Sequence, residues 1–73
     1  MPNIDINAVE AAYNKADWAE VIKLLDNYFG NDTTPAYSIL KATIENALSQ
    51  GLQPSLANQQ ALKVLINKIK RQG

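Results

Sequence analysis

Asp17-Trp18-Ala19-Glu20-Val21-Ile22-Lys23-Leu24-Leu25-Asp26-Asn27-Tyr28-Phe29 is the stretch that decides the fold. Trp18, Val21, Ile22, Leu25, Tyr28 and Phe29 recur at i, i+3, i+4 and i+7, the spacing that puts side chains on one face of an α-helix. Glu20, Lys23, Asp26 and Asn27 fall on the opposite face. The stretch holds the only Trp and the only Phe of the chain, so the neighbouring elements are expected to pack on it. Asp17 is a good N-cap, Glu20 stands three residues later at capping-box spacing, and Ala16 and Val21 occupy hydrophobic-staple positions. Gly30 ends the helix by taking φ > 0.

Before this helix, Asn7 can cap a first one, with Glu10 reaching back to it, and Asp5 is the alternative cap. Ile6, Val9, Ala12, Tyr13 and Ala16 form its apolar stripe. The two helices then follow each other with almost no loop. Beyond Gly30, Asn31-Asp32-Thr33 is a turn cluster. Thr34 caps a third helix with Pro35 at its first position, where a missing N–H costs nothing. Tyr37, Leu40, Ile44, Ala47 and Leu48 make its core stripe, and Gly51 with Leu52 suits a Schellman ending. Pro54 or Ser55 opens a fourth helix whose buried face is Ala61, Leu62, Leu65, Ile66 and Ile69. Val64 points away from that face. No alternating β-branched run occurs between turns, so no strand is expected. The reading is an all-α single domain over residues 1–73, with helices at about 8–15, 17–29, 35–50 and 54–70, arranged as two stacked antiparallel helical hairpins. The second and fourth helices also look related, with Val21 to Asn27 matching Ala61 to Asn67 at a spacing of 40 residues.

The first hairpin, over residues 8–29, resembles a tetratricopeptide-type repeat. The residues that carry the likeness are Ala12-Tyr13, Ala16-Asp17-Trp18, Val21, Leu25 and Tyr28. The chain departs from that pattern at Ala16, where the family prefers a turn glycine, at Val21, where it prefers a small residue, and after Tyr28, where its closing proline is missing. The resemblance implies stacked helical hairpins, and modules of that kind bind other proteins.

Composition narrows the chemistry. The chain of 73 residues has no Cys and no His, which removes disulfides, thiol chemistry, the commonest general base and the commonest metal ligand. Ser38, Ser49 and Ser55 therefore have no histidine to activate them, and each Lys falls on a polar face or in a loop. Gly30, Gly51 and Gly73 form no phosphate loop. Asp17 and Glu20 read as a helix cap rather than as a carboxylate pair. Asp26, Asn27, Asn31 and Asp32 lack the alternating ligand spacing of a calcium loop. No catalytic, cofactor or metal site is expected, and neither an enzyme nor a small-molecule substrate.

Net charge is zero but divided. Residues 1–32 carry six acids against two lysines, a net −4, and residues 33–73 carry one acid against four lysines and one arginine, a net +4. No apolar run approaches the ~20 residues of a membrane span, and the first residues lack the basic and apolar regions of a signal peptide. The cytoplasm is the expected address. The expected function is a non-enzymatic protein–protein interaction module, a small adaptor or assembly factor. Its partner face is the outer ridge of the fourth helix, with Val64 as apolar contact and Lys63, Asn67 and Lys70 around it. Two alternatives stand beside it. One is a small nucleic-acid-binding regulator using Lys63, Lys68, Lys70 and Arg71. The other is a homotypic association domain of a larger signalling protein, pairing the acidic half of one copy with the basic half of the next. Any apolar patch left exposed is expected to involve Tyr28, Phe29, Ile39 or Val64.

Overall fold

The computed structural model describes residues 4–30 and 35–72. Among them the chain forms four helices and no strand: α1 is Ile6–Asn14, α2 Trp18–Phe29, α3 Pro35–Ser49 and α4 Leu56–Gln72. The chain divides into two units, Met1–Thr33 and Thr34–Gly73. In the first α1 packs on α2, and in the second α3 packs on α4. The expected cap at Thr34 and the turn cluster at Asn31-Asp32-Thr33 lie outside the described residues.

α1 starts earlier than the sequence suggests because Asp5, not Asn7, caps it. One Asp5 carboxylate oxygen accepts from the backbone N–H of Asn7 at 3.1 Å and of Ala8 at 3.2 Å. These are two of the N–H groups that a helix start leaves without an internal partner. Val9 and Ala12 are buried, whereas Ile6 and Tyr13 are half-buried. Ala16 is not part of the stripe. It is exposed and sits in the left-handed region at φ +58°, beyond the end of α1.

The conformation of Ala16 makes the short connection possible. The N–H of Ala16 donates to the Tyr13 carbonyl at 3.0 Å, and the N–H of Asp17 to the Ala12 carbonyl at 2.9 Å. This bond pair is a Schellman ending with alanine in the place usually taken by glycine. Asp17 also begins α2: its side chain accepts from the Glu20 N–H at 3.4 Å and its carbonyl from the Val21 N–H at 3.1 Å. The reciprocal arm of a capping box does not form with the Asp17 N–H as donor, since that group already closes α1.

α2 buries Trp18, Val21, Ile22 and Leu25, with Val21 and Leu25 fully enclosed. Tyr13 meets Trp18 edge-to-face at 5.3 Å between ring centroids, and Tyr28 meets Phe29 the same way at 5.2 Å. Such pairs contribute about 0.5–1.5 kcal/mol beyond the area they bury. Gly30 closes α2 with its N–H on the Asp26 carbonyl at 2.7 Å, at φ +58° and ψ −128°. A side chain at that dihedral pair is strained, so the glycine is required there.

The second unit repeats this construction. Gly51, at φ +73°, donates its N–H to the Leu48 carbonyl at 3.0 Å, and Leu52 donates to the Ala47 carbonyl at 2.9 Å. The expected Schellman ending is present, but Leu52 stays 58% exposed and adds little apolar contact. Ser55 caps α4, with Oγ accepting from the Asn58 N–H at 3.2 Å. Tyr37 and Ile44 are buried on α3, and Leu62, Ile66 and Ile69 on α4. Ala61 is exposed, contrary to the sequence reading, because it lies about 100° round the helix from Leu62.

Burial also corrects the internal match. At a spacing of 40, buried Val21 meets exposed Ala61, and half-buried Asp26 meets buried Ile66. The faces agree instead at 44, where buried Trp18, Ile22 and Leu25 fall on buried Leu62, Ile66 and Ile69. The caps agree at 35, where Ala12, Ala16 and Asp17 fall on Ala47, Gly51 and Leu52. The difference reflects the longer connection before α4 and the added residues at its start.

Candidate functional site

α4 is 17 residues long and ends with Lys70 and Arg71 in its last turn. Cations there face the negative end of the helix dipole and stabilise it. Once Leu62, Ile66 and Ile69 turn inward, 3.6-residue periodicity fixes what turns outward. Leu56, Gln60, Val64, Asn67 and Arg71 are all exposed and stand at i, i+4, i+8, i+11 and i+15, close to one line along the helix. Lys63 and Lys70 border that line on one side and Lys68 on the other.

Val64 is 64% exposed and Leu56 75% exposed. A single exposed aliphatic side chain is ordinary on a protein surface. Val64 stands among cations, with Lys63 and Lys68 on either side of it, whereas Leu56 lies about two turns earlier on a stretch of α4 that carries no charge. Val64, Asn67, Lys70 and Arg71 together line one depression of about 350 Å³ on the surface. It is open to solvent, so it suits contact with one side chain of a partner better than enclosure of a small molecule.

Three of the four residues expected at a partner face, Val64, Asn67 and Lys70, are thus brought together, and Arg71 joins them. Lys63 is half-buried and does not line the depression. The sequence reading passed over Leu56. The signal for it was an apolar residue just after the Ser55 cap, where inward packing has not yet begun.

Of the other residues expected at an apolar patch, Ile39 is 69% exposed on α3. Tyr28 and Phe29 are half-buried and engaged with each other. Three of the side chains weighed for chemistry have structural work. Asp17 caps α2, Ser55 caps α4, and Ser49 Oγ donates to the Asn46 carbonyl at 2.8 Å. Among the described residues no three acids converge as a metal site, and no helix is long and apolar enough to cross a membrane.

Compared with protein-family models, curated proteins and solved structures, the chain matches none of them. The resemblance to a tetratricopeptide-type repeat therefore rests on the quoted residues alone.

Proposed function

We propose that the chain is a non-enzymatic protein–protein interaction module, acting as a small adaptor or assembly factor in the cytoplasm. In this reading its two antiparallel helical hairpins stack, as the resemblance to tetratricopeptide-type repeats implies, and the outward line of α4 is presented to its partner. The observation that carries this reading is Val64, 64% exposed at mid-helix in a depression it shares with Asn67, Lys70 and Arg71. Exposed aliphatic groups ringed by polar and cationic ones are the usual composition of a protein contact. The lack of His and Cys throughout the sequence supports binding over catalysis.

A photo-crosslinking residue tests this when placed at Val64 in one variant and at Lys23, on the exposed side of α2, in another. In cells that produce the protein, position 64 should give a discrete adduct that position 23 does not. Equal adducts from both positions, or none from position 64, would contradict the reading.

A further inference from the structure

Charge narrows the kind of partner, on the assumption that the α4 face is the binding face. α4 carries Lys63, Lys68, Lys70 and Arg71 and no acidic residue. We infer that this face takes an acidic amphipathic helix of another protein, seating an apolar side chain on Val64 and setting carboxylates along the cationic borders.

The form of the partner follows from the architecture. No strand exists among the described residues, so they offer no sheet edge for an added strand. A helix satisfies its own backbone hydrogen bonds and meets a surface through side chains alone. The exposed line on α4 spans 16 residues, from Leu56 to Arg71, or roughly 24 Å at 1.5 Å per residue. It is a ridge against which a second helix can lie. Flanking charges on such a ridge occupy the place of the e and g positions of a coiled coil, which choose partners by opposite charge.

Two other occupants fit less well. Nucleic acid would meet the aliphatic side chain of Val64 at the centre of the face, where a run of phosphates has no use for an apolar contact. A second copy presenting the same face would oppose cation to cation. Of the acids of the first unit, Asp5 and Asp17 cap helices, Glu10 stands on α1, and Glu20 and Asp26 stand on α2 with Lys23 between them, so pairing with a second copy is an outcome that the mass measurement below decides.

The test is a titration of the full chain into a labelled helical peptide, followed by fluorescence anisotropy. The peptide carries leucines at heptad spacing with glutamates beside them, and its twin has every glutamate replaced by glutamine. The glutamate peptide should bind at least about tenfold more tightly at low salt, and the advantage should shrink as salt rises to about 0.5 M and screening sets in. Val64→Glu and Arg71→Glu should each weaken binding by about tenfold or more. Val64→Glu should leave the melting temperature nearly unchanged because the position is exposed mid-helix, whereas Arg71→Glu should also lower it by a few degrees, since it sets an anion at the negative end of the α4 dipole.

If both peptides bind equally and both lose affinity in Val64→Glu, the acidic partner is wrong and the α4 interaction face stands. If neither variant weakens the glutamate peptide, the site itself is wrong. Absence of binding by either peptide up to about 1 mM, a bound free energy of only some −4 kcal/mol, overturns the inference. So does tighter binding of a short DNA duplex than of the peptide, or a rise in mass of the chain alone that Val64→Glu abolishes.

Discussion

The backbone N–H of Asp17 donates to the carbonyl of Ala12 at 2.9 Å while the Asp17 side chain accepts from Glu20. One residue thereby ends α1 and begins α2. The arrangement requires Ala16 to hold φ +58°, a conformation that costs an L-residue with a Cβ about 1–2 kcal/mol.

Ala16→Gly should therefore stabilise the protein. Relief of that strain exceeds the ~0.4–1 kcal/mol lost to a more flexible unfolded chain, leaving a gain of about 0.5–1 kcal/mol, or several degrees in melting temperature. Gly51→Ala should cost a similar amount, since Gly51 holds φ +73° with open space around its Cα. Thermal melts of the two variants followed by circular dichroism check the pair, and the account requires opposite signs.

Gly30→Ala should be more damaging than Gly51→Ala. Both positions have room for a methyl group, so the difference is conformational. The ψ of −128° at Gly30 lies outside the left-handed well that an alanine can tolerate at Gly51. A larger drop in urea midpoint for Gly30→Ala is the expected result.

The two candidate caps of α1 separate by mutation. Asp5→Ala removes the acceptor of two helix N–H groups and should cost about 1 kcal/mol. Asn7→Ala should be neutral or slightly stabilising, because Asn7 is exposed within α1 and alanine has the higher helix propensity. Equilibrium unfolding of both variants reads the difference.

The inward and outward faces of α4 should differ sharply. Ile66 is fully buried, and Ile66→Ala should cost about 2–5 kcal/mol. Val64→Ala, at an exposed position, should change stability by no more than about 0.5 kcal/mol. Chemical unfolding compares them directly, and similar losses would mean that α4 is turned differently on α3.

Much of this was legible in the sequence. The 3.6-residue spacing of Trp18, Ile22 and Leu25 gave α2, and Gly51 gave the end of α3, because periodicity and a glycine past a helix end are local signals. Ala16 misled because an alanine on the apolar stripe looks like core. Only the three-residue link between α1 and α2 forces it into a glycine conformation. The Asp5 cap lost to Asn7 in the sequence reading because both residues suit the role, and which one the helix selects depends on where packing lets it start. At the candidate face, Val64 was visible as the apolar residue out of phase with its helix. Leu56 carried only an ambiguous signal, since an apolar residue just after a cap, in the first turn of a helix, can face either way.

The measurement that tests the α4 face most directly is a backbone amide map of the isotope-labelled chain, taken during titration with the glutamate-bearing helical peptide. The account predicts that shifts concentrate at Gln60, Val64, Asn67 and Arg71, leaving Val21 and Leu25 in the core of α2 unmoved. Shifts centred on α1, on α2 or on the inward residues Leu62 and Ile66, with the outward line of α4 undisturbed, would contradict it.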